Sequence, residues 1–271
     1  SVFKDQPAYK AGLKTGDLII AVNKKSTMNM ELQEVVSEIK KKENKKVVLT
    51  IYRDKKSKDY TVKKSSVQLD TVSYKMKEKK IGYIAVSQFL ENTGDQFDKA
   101  VTALEKKGMK SLIIDLRDNG GGLLNTCTQM VSRVIDKDKL IVYTKDKEGN
   151  KEEFKSDSGK TLDIPIIILV NGNTASASEI MTGCLKDYGK ATVVGTTTYG
   201  KGIVQNIMPL TDGSAIKFTI AKYYTPNGTD IHKKGIKPDV KVKMSDAQWK
   251  KAQTDEKADK QLKKAIELLE K

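Results

Sequence analysis

Ile166-Ile167-Ile168-Leu169-Val170, followed by Asn171-Gly172-Asn173-Thr174-Ala175-Ser176-Ala177-Ser178-Glu179, is the stretch that decides the fold. Five consecutive apolar residues leave no polar face for water. The run therefore predicts a strand buried on both sides, as in the middle of a layered α/β sheet. The small and polar residues after Val170 predict a turn, and 175–186 predicts a helix. A strand–turn–helix of this kind presents a hydroxyl at a helix N-terminus. There, free N–H groups and the helix dipole stabilise negative charge, the placement an attacking serine needs. Thr174, Ser176 and Ser178 all fall where the turn gives way to the helix, and a plain N-cap would use the same residue types.

Upstream of this stretch, strands are expected at 81–89 and 112–116, helices at 94–107 and 123–135, and a hairpin at 140–144 and 152–155. Phe97, Val101 and Leu104 share one face of the first helix. Downstream, a strand at 192–195 precedes a strand pair at 203–210 and 214–223. The tail at 246–270 is amphipathic and helical at its end, with Leu262, Ile266 and Leu269 as its apolar stripe. The alternation of strand and helix favours a mixed α/β core. Residues 1–66 form a separate, small β-rich unit. It has a short helix at 7–12 closed by glycine, a strand at Leu18–Val22, an amphipathic helix at 31–41 and strands at 47–52 and 59–63. Residues 67–80 are polar and Lys-rich, a strand followed by a hinge, so the domain boundary is placed after residue 66.

Two further loops carry chemistry. In Tyr199-Gly200-Lys201-Gly202-Ile203-Val204-Gln205 glycines flank a lysine and leave its amine open. If a strand begins at Gly202, period-two alternation puts Lys201, Ile203 and Gln205 on one face. A lysine acting as a base must be neutral. Its ordinary pKa near 10.4 must then be lowered by burial, which Ile203 is expected to supply. Gln205 would accept a hydrogen bond from the amine without adding a negative charge. The loop Asp115-Leu116-Arg117-Asp118-Asn119-Gly120-Gly121-Gly122 follows a buried strand and precedes a helix. Its backbone N–H groups suit an anion or an oxyanion. It lacks the Lys-Ser/Thr of a P-loop and the spacing of a dinucleotide fingerprint. A tight βα turn is its plain structural use.

The totals narrow the class. The chain has 271 residues and a net charge of +15. Of its 50 basic residues only Arg53, Arg117 and Arg133 are arginine, and the lysines are spread through every segment. Bidentate base and phosphate contacts favour arginine, and the aromatics do not alternate with the basic residues, so a solvated lysine surface is read rather than a nucleic-acid face. Cys127 and Cys184 form no metal-ligand pattern and are read as buried free thiols, with one disulfide between them as the alternative. His232, the single histidine, is read as an exposed loop residue, which disfavours a Ser–His–Asp hydrolase. No metal or cofactor is expected. No apolar run approaches the roughly 20 residues that span a bilayer.

Taken together, Ser176-Ala177-Ser178-Glu179, Tyr199-Gly200-Lys201-Gly202 and Gln205 resemble the catalytic signature of the C-terminal processing (tail-specific) peptidases. In both, 25 residues separate serine from lysine and 4 separate lysine from glutamine. Residues 115–122 resemble that family's oxyanion loop. Tyr224-Thr225-Pro226-Asn227-Gly228 and Lys234-Gly235-Ile236-Lys237-Pro238-Asp239 resemble a further signature. Thr174 stands where members usually have serine. The resemblance implies a crotonase/ClpP-like layered α/β protease core at 67–271 and a serine endopeptidase working near the C-termini of proteins. Ser176 would be the nucleophile, Lys201 the general base and Gln205 its orienter. The Ala177 N–H with that of Gly121 or Gly122 would form the oxyanion hole. Residues 1–66 resemble a PDZ domain whose first strands and carboxylate-binding loop lie before Ser1, so binding of a free C-terminal tail in the usual way is not expected here. Protein or peptide substrates presenting their C-terminal tails, an extracytoplasmic setting, a membrane anchor in the full-length protein and a homodimer are further implications of the resemblance. Two other readings stay open. One is a non-catalytic PDZ-type adaptor; the other is a crotonase-like acyl-CoA enzyme, whose core and Gly-rich oxyanion loops are similar.

Overall fold

Side chains alternate across a strand, so a strand whose every residue is apolar must be covered on both faces. The computed structural model, which describes residues 2, 6–41, 45–65, 69–157, 161–211 and 213–270, shows this arrangement. The chain divides into two compact units, Ser1–Leu69 and Asp70–Lys271. The boundary expected after residue 66 falls at 66–68, outside the described residues.

In the first unit α1 (Pro7–Lys10) leads to β1 (Leu18–Val22), β2 (Lys25–Ser26), α2 (Leu32–Lys40), β3 (Lys46–Arg53) and β4 (Lys56–Lys63). The strands form one antiparallel sheet in the order β2-β1-β3-β4. Val22, Val47, Leu49, Ile51 and Val62 make a small core, against which Val35 and Ile39 of α2 pack. Arg53 ties the turn at Asp17 to the sheet through a paired contact of 2.5 and 2.6 Å.

The second unit runs β5 (Val72–Met76), β6 (Ile81–Val86), α3 (Thr93–Lys106), β7 (Ser111–Asp115), α4 (Leu124–Ser132), β8 (Leu140–Asp146), β9 (Lys151–Lys155), β10 (Ile166–Val170), α5 (Ala177–Asp187), β11 (Ala191–Gly195), β12 (Ile203–Pro209), β13 (Ala215–Tyr224), β14 (Val240–Lys241), α6 (Asp246–Ala252) and α7 (Lys260–Leu269). Its main sheet has the order β14-β11-β10-β7-β6-β5, parallel throughout except for β5. The two faces separate by residue parity. Leu112, Ile114, Ile166, Ile168 and Val170 face α3, α4 and α5, while Ile113, Ile167 and Leu169 face α7. A second sheet, β12-β13-β8-β9, is antiparallel. Two features escaped the sequence patterns. The two-residue strands β2 and β14 are too short to show a period, and the tail holds a separate helix, α6, before α7.

The topology decides where chemistry collects. β7, β10 and β11 are adjacent and parallel, so their C-terminal ends lie at one edge of the sheet. The loops leaving them are the Gly-rich loop, the Ser176 turn and the segment carrying Lys201. In open parallel α/β sheets, this edge is where ligands bind.

Candidate active site

Of the three hydroxyls in the turn after β10 and the first turn of α5, two have structural partners. Thr174 is fully buried; its Oγ1 donates to the Leu116 carbonyl at 2.8 Å and accepts from the Asn171 N–H at 3.0 Å. Ser178 is fully buried and its Oγ donates to the Asn119 carbonyl at 3.0 Å. Ser176 alone retains access to solvent. Its backbone has φ 58° and ψ −120°. A non-glycine residue in that region is strained by about 1–3 kcal/mol, a pattern concentrated at functional turns.

Glu179, one turn into α5, holds this backbone in place. It is fully buried. Its Oε2 accepts the Ser176 N–H at 2.9 Å and the Lys201 N–H at 2.8 Å. Its Oε1 accepts the Thr198 hydroxyl at 2.5 Å and the Gly200 N–H at 2.7 Å. One carboxylate thus joins the serine turn to the lysine loop, and the backbone nitrogens of Ser176 and Lys201 are no further apart than two hydrogen bonds laid end to end. Sequence reasoning quoted Glu179 only as part of a signature. The signal available was an acidic residue three positions after a serine at a helix start, an arrangement that reaches back to the N-cap amide.

The Gly-rich loop lies against the same turn. A β-carbon on Gly121, whose φ is +94°, would come within 2.8 Å of Ser176 Cβ and 2.9 Å of the Ala177 nitrogen. The Gly121 N–H is already donated to Asn119 Oδ1 at 2.9 Å. The amides of Gly122 and Ala177, by contrast, have no acceptor among the described residues. Of the two glycines named from the sequence, Gly122 is therefore the one with a free donor. Fully buried Asn119 orders the loop, donating from Nδ2 to the Val86 carbonyl at 2.7 Å and accepting the Ala175 N–H at 3.0 Å.

Lys201 and Gln205 depart from expectation. β12 begins at Ile203, so strand alternation aligns Ile203 with Gln205 but does not govern Lys201. Both the Lys201 and Gln205 side chains are exposed, and Ile203 does not shield the amine. His232 also differs. It is half-buried, its backbone nitrogen lies 2.5 Å from where a β-carbon on Gly202 would sit, and its Nδ1 has no hydrogen-bond partner among the described residues. Cys127 and Cys184 are free and buried as read; burial pushes the Cys127 thiol up to about 12 and raises that of Cys184 as well.

Beneath the loop, Arg117 is buried between Asp115 and Asp259, bonding each through paired contacts of 2.6–3.1 Å. Burial works against its charge, but the two carboxylates outweigh that effect and the guanidinium stays protonated. Among the described residues, no cluster of His, Cys, Asp and Glu is arranged to hold a metal ion.

Residues 80–242 match Peptidase family S41, and residues 1–53 match a PDZ domain. The chain belongs to peptidase family S41. It is 43% identical over 244 residues to a probable CtpA-like serine protease of Staphylococcus aureus strain N315, covering 89% of this chain and 49% of that protein. It is 41% identical over 247 residues to the carboxy-terminal processing protease CtpA of Bacillus subtilis strain 168, covering 91% of this chain and 53% of that one. The chain thus spans about half the length of these S41 relatives. Among solved structures, the photosystem II D1 C-terminal processing protease superposes with a TM-score of 0.60 at 30% identity, covering 87% of this chain and 65% of its own.

Proposed function

We propose that this chain is the catalytic part of a serine endopeptidase that cleaves proteins near their C-termini. The single observation that carries this reading is the Glu179 carboxylate, which draws the backbones of Ser176 and Lys201 onto one oxygen beside the Gly-rich loop. Ser176 is the nucleophile, since Thr174 and Ser178 hold structural bonds. Lys201 takes the Ser176 proton as Oγ attacks the scissile carbonyl, and the Ala177 and Gly122 amides hold the developing oxyanion. Lys201 then passes that proton to the departing amine. Water, deprotonated by the same lysine, releases the acyl group. Gln205 orients the amine from the start of β12.

The Lys201 side chain is exposed. In the reaction the bound polypeptide covers Lys201 and excludes water from the amine. Protein tails are the substrates in this account. The enzyme works outside the cytoplasm, is anchored to a membrane in its full-length form, and assembles as a homodimer. Among the described residues, no helix is long and apolar enough to cross a membrane.

The test is hydrolysis of an unfolded protein with an accessible C-terminus, compared with an acyl-CoA thioester. Cleavage of the protein that is lost in both Ser176→Ala and Lys201→Ala, with no thioester turnover, is the expected result. Activity near wild type in Lys201→Ala removes the lysine from its role, and thioester turnover alone replaces the peptidase by a crotonase-like enzyme.

A further inference from the structure

In the C-terminal segment, Asp259 bonds Arg117, and one side chain of α6 reaches the next residue of the Gly-rich loop. Trp249, the single tryptophan of the chain, lies in α6 with its ring 4.5 Å from the Arg117 guanidinium. Its indole Nε1–H donates to Asp118 Oδ2 at 2.8 Å. Asp118 is the loop residue two positions before Gly120, and at φ 58° it adopts a left-handed conformation that a short polar side chain tolerates. Its other oxygen, Oδ1, accepts from Asn171 Nδ2 and Asn173 Nδ2, both at 2.8 Å. Its own N–H returns to Asn171 Oδ1 at 3.0 Å. Burial disfavours the charge on Asp118, but the bonds from Asn173, Asn171 and Trp249 outweigh it and hold the carboxyl below the usual range.

Asp118 thus stands between two loops that must keep register. One supplies the Gly122 amide; the other, through Asn171 and Asn173, leads into Ser176. Among the described residues, nothing in α6 reaches either loop by backbone pairing. The indole N–H is its polar link, acting on the carboxylate oxygen that the asparagines leave free.

We propose that Trp249 is a positioning residue for the peptidase reaction: by holding Asp118 it sets the Gly-rich loop against the serine turn, so that the C-terminal segment determines how well the oxyanion amides face the nucleophile. This rests on the serine-peptidase reading above. Trp249 touches no reacting atom; its effect passes through Asp118, where small displacements of an oxyanion donor cost rate rather than affinity.

Two variants break the link from opposite ends. Trp249→Phe keeps a ring over Arg117 and removes the N–H. Asp118→Asn keeps an oxygen for Asn171 and Asn173 but turns an NH2 group toward the indole donor. Each is expected to lower kcat by about 10- to 100-fold with KM changed by less than about twofold, and the double variant to be no slower than the slower single one. Ser176→Ala serves as the control for the reading itself; if it turns over like wild type, that reading fails independently of the link. A second readout needs no turnover. The one indole N–H resonance should move in Asp118→Asn, and the Asn171 and Asn173 side-chain amide resonances should move in Trp249→Phe. Unmoved amides, additive losses in the double variant, or wild-type kcat in either single variant with Ser176→Ala inactive would overturn the proposal.

Discussion

Replacing Glu179 with glutamine probes the joint between the serine turn and the lysine loop. The carboxylate accepts four donors, two on each oxygen. Glutamine offers one oxygen and one NH2 group, so two donors must face another donor whichever way the amide turns. If the NH2 faces Ser176 and Lys201, two backbone N–H groups lose their acceptor. If it faces the other pair, the Thr198 hydroxyl, which already accepts the Ile236 N–H at 2.7 Å, can rotate away, but the Gly200 N–H is stranded. The second orientation is the milder. It costs one lost bond and one unsatisfied buried donor, about 2–4 kcal/mol in all. For a unit of this size, that corresponds to a Tm lowered by roughly 5–15 °C. Because the variant loosens the tie between Ser176 and Lys201, kcat should fall by more than the stability loss alone predicts under conditions where the variant remains folded. Urea unfolding followed by two probes, together with peptide turnover at 20 °C below the variant's Tm, measures both; the margin is about twice the expected Tm shift. A variant within about 0.5 kcal/mol of wild type, with full turnover, would refute the reasoning.

Gly121→Ala brings a β-carbon within 2.6–2.9 Å of Ala175 O, Ser176 Cβ and the Ala177 nitrogen at a φ of +94°, so the loop must retreat from the serine turn. It should cost about 2–4 kcal/mol and remove nearly all turnover, checked by calorimetry and a peptide assay. Lys75 and Lys77 both bond Glu256 and hold its carboxyl below its ordinary value near 4.5. Its contribution is therefore present above about pH 4.5 and is lost as pH falls through the lowered value. Glu256→Gln should flatten the pH dependence of Tm below pH 4.5, by less than about 1 kcal/mol at this half-exposed site, and an unchanged acid slope counts against the pair. Cys127 and Cys184, both buried with raised thiol pKa values, should react with a thiol reagent at pH 8 only as the fold opens. Labelling at the rate of a free thiol in the folded chain would contradict their packing.

Legibility from sequence followed periodicity. β10 was readable because five apolar residues in a row admit one environment, and its bounds match the run itself. α3 and α7 were readable from their apolar stripes. β14 has two residues and no pattern, and its place beside β11 depends on a pairing only the folded chain makes. The same limit applied to the site. Ser176 stood out with Thr174 and Ser178 as one of three hydroxyls, and choosing among them from residues alone required knowing that Leu116 and Asn119, nearly 60 residues upstream, supply carbonyls to the other two. The Asp118–Trp249 bond spans 131 residues and leaves no local trace. The expectation of a shielded Lys201 failed because Ile203 follows it in the chain without covering it, and strand order begins only after the glycine between them.

The central claim is that Ser176 attacks and Lys201 takes its proton. Its most direct test treats the wild-type chain and Lys201→Ala with a serine-directed fluorophosphonate and maps the adduct by peptide mass spectrometry. The account predicts one phosphonyl group on Ser176 in the wild type, formed at least about 100-fold more slowly in Lys201→Ala. A group on Thr174 or Ser178, or equal rates in the two proteins, would contradict it.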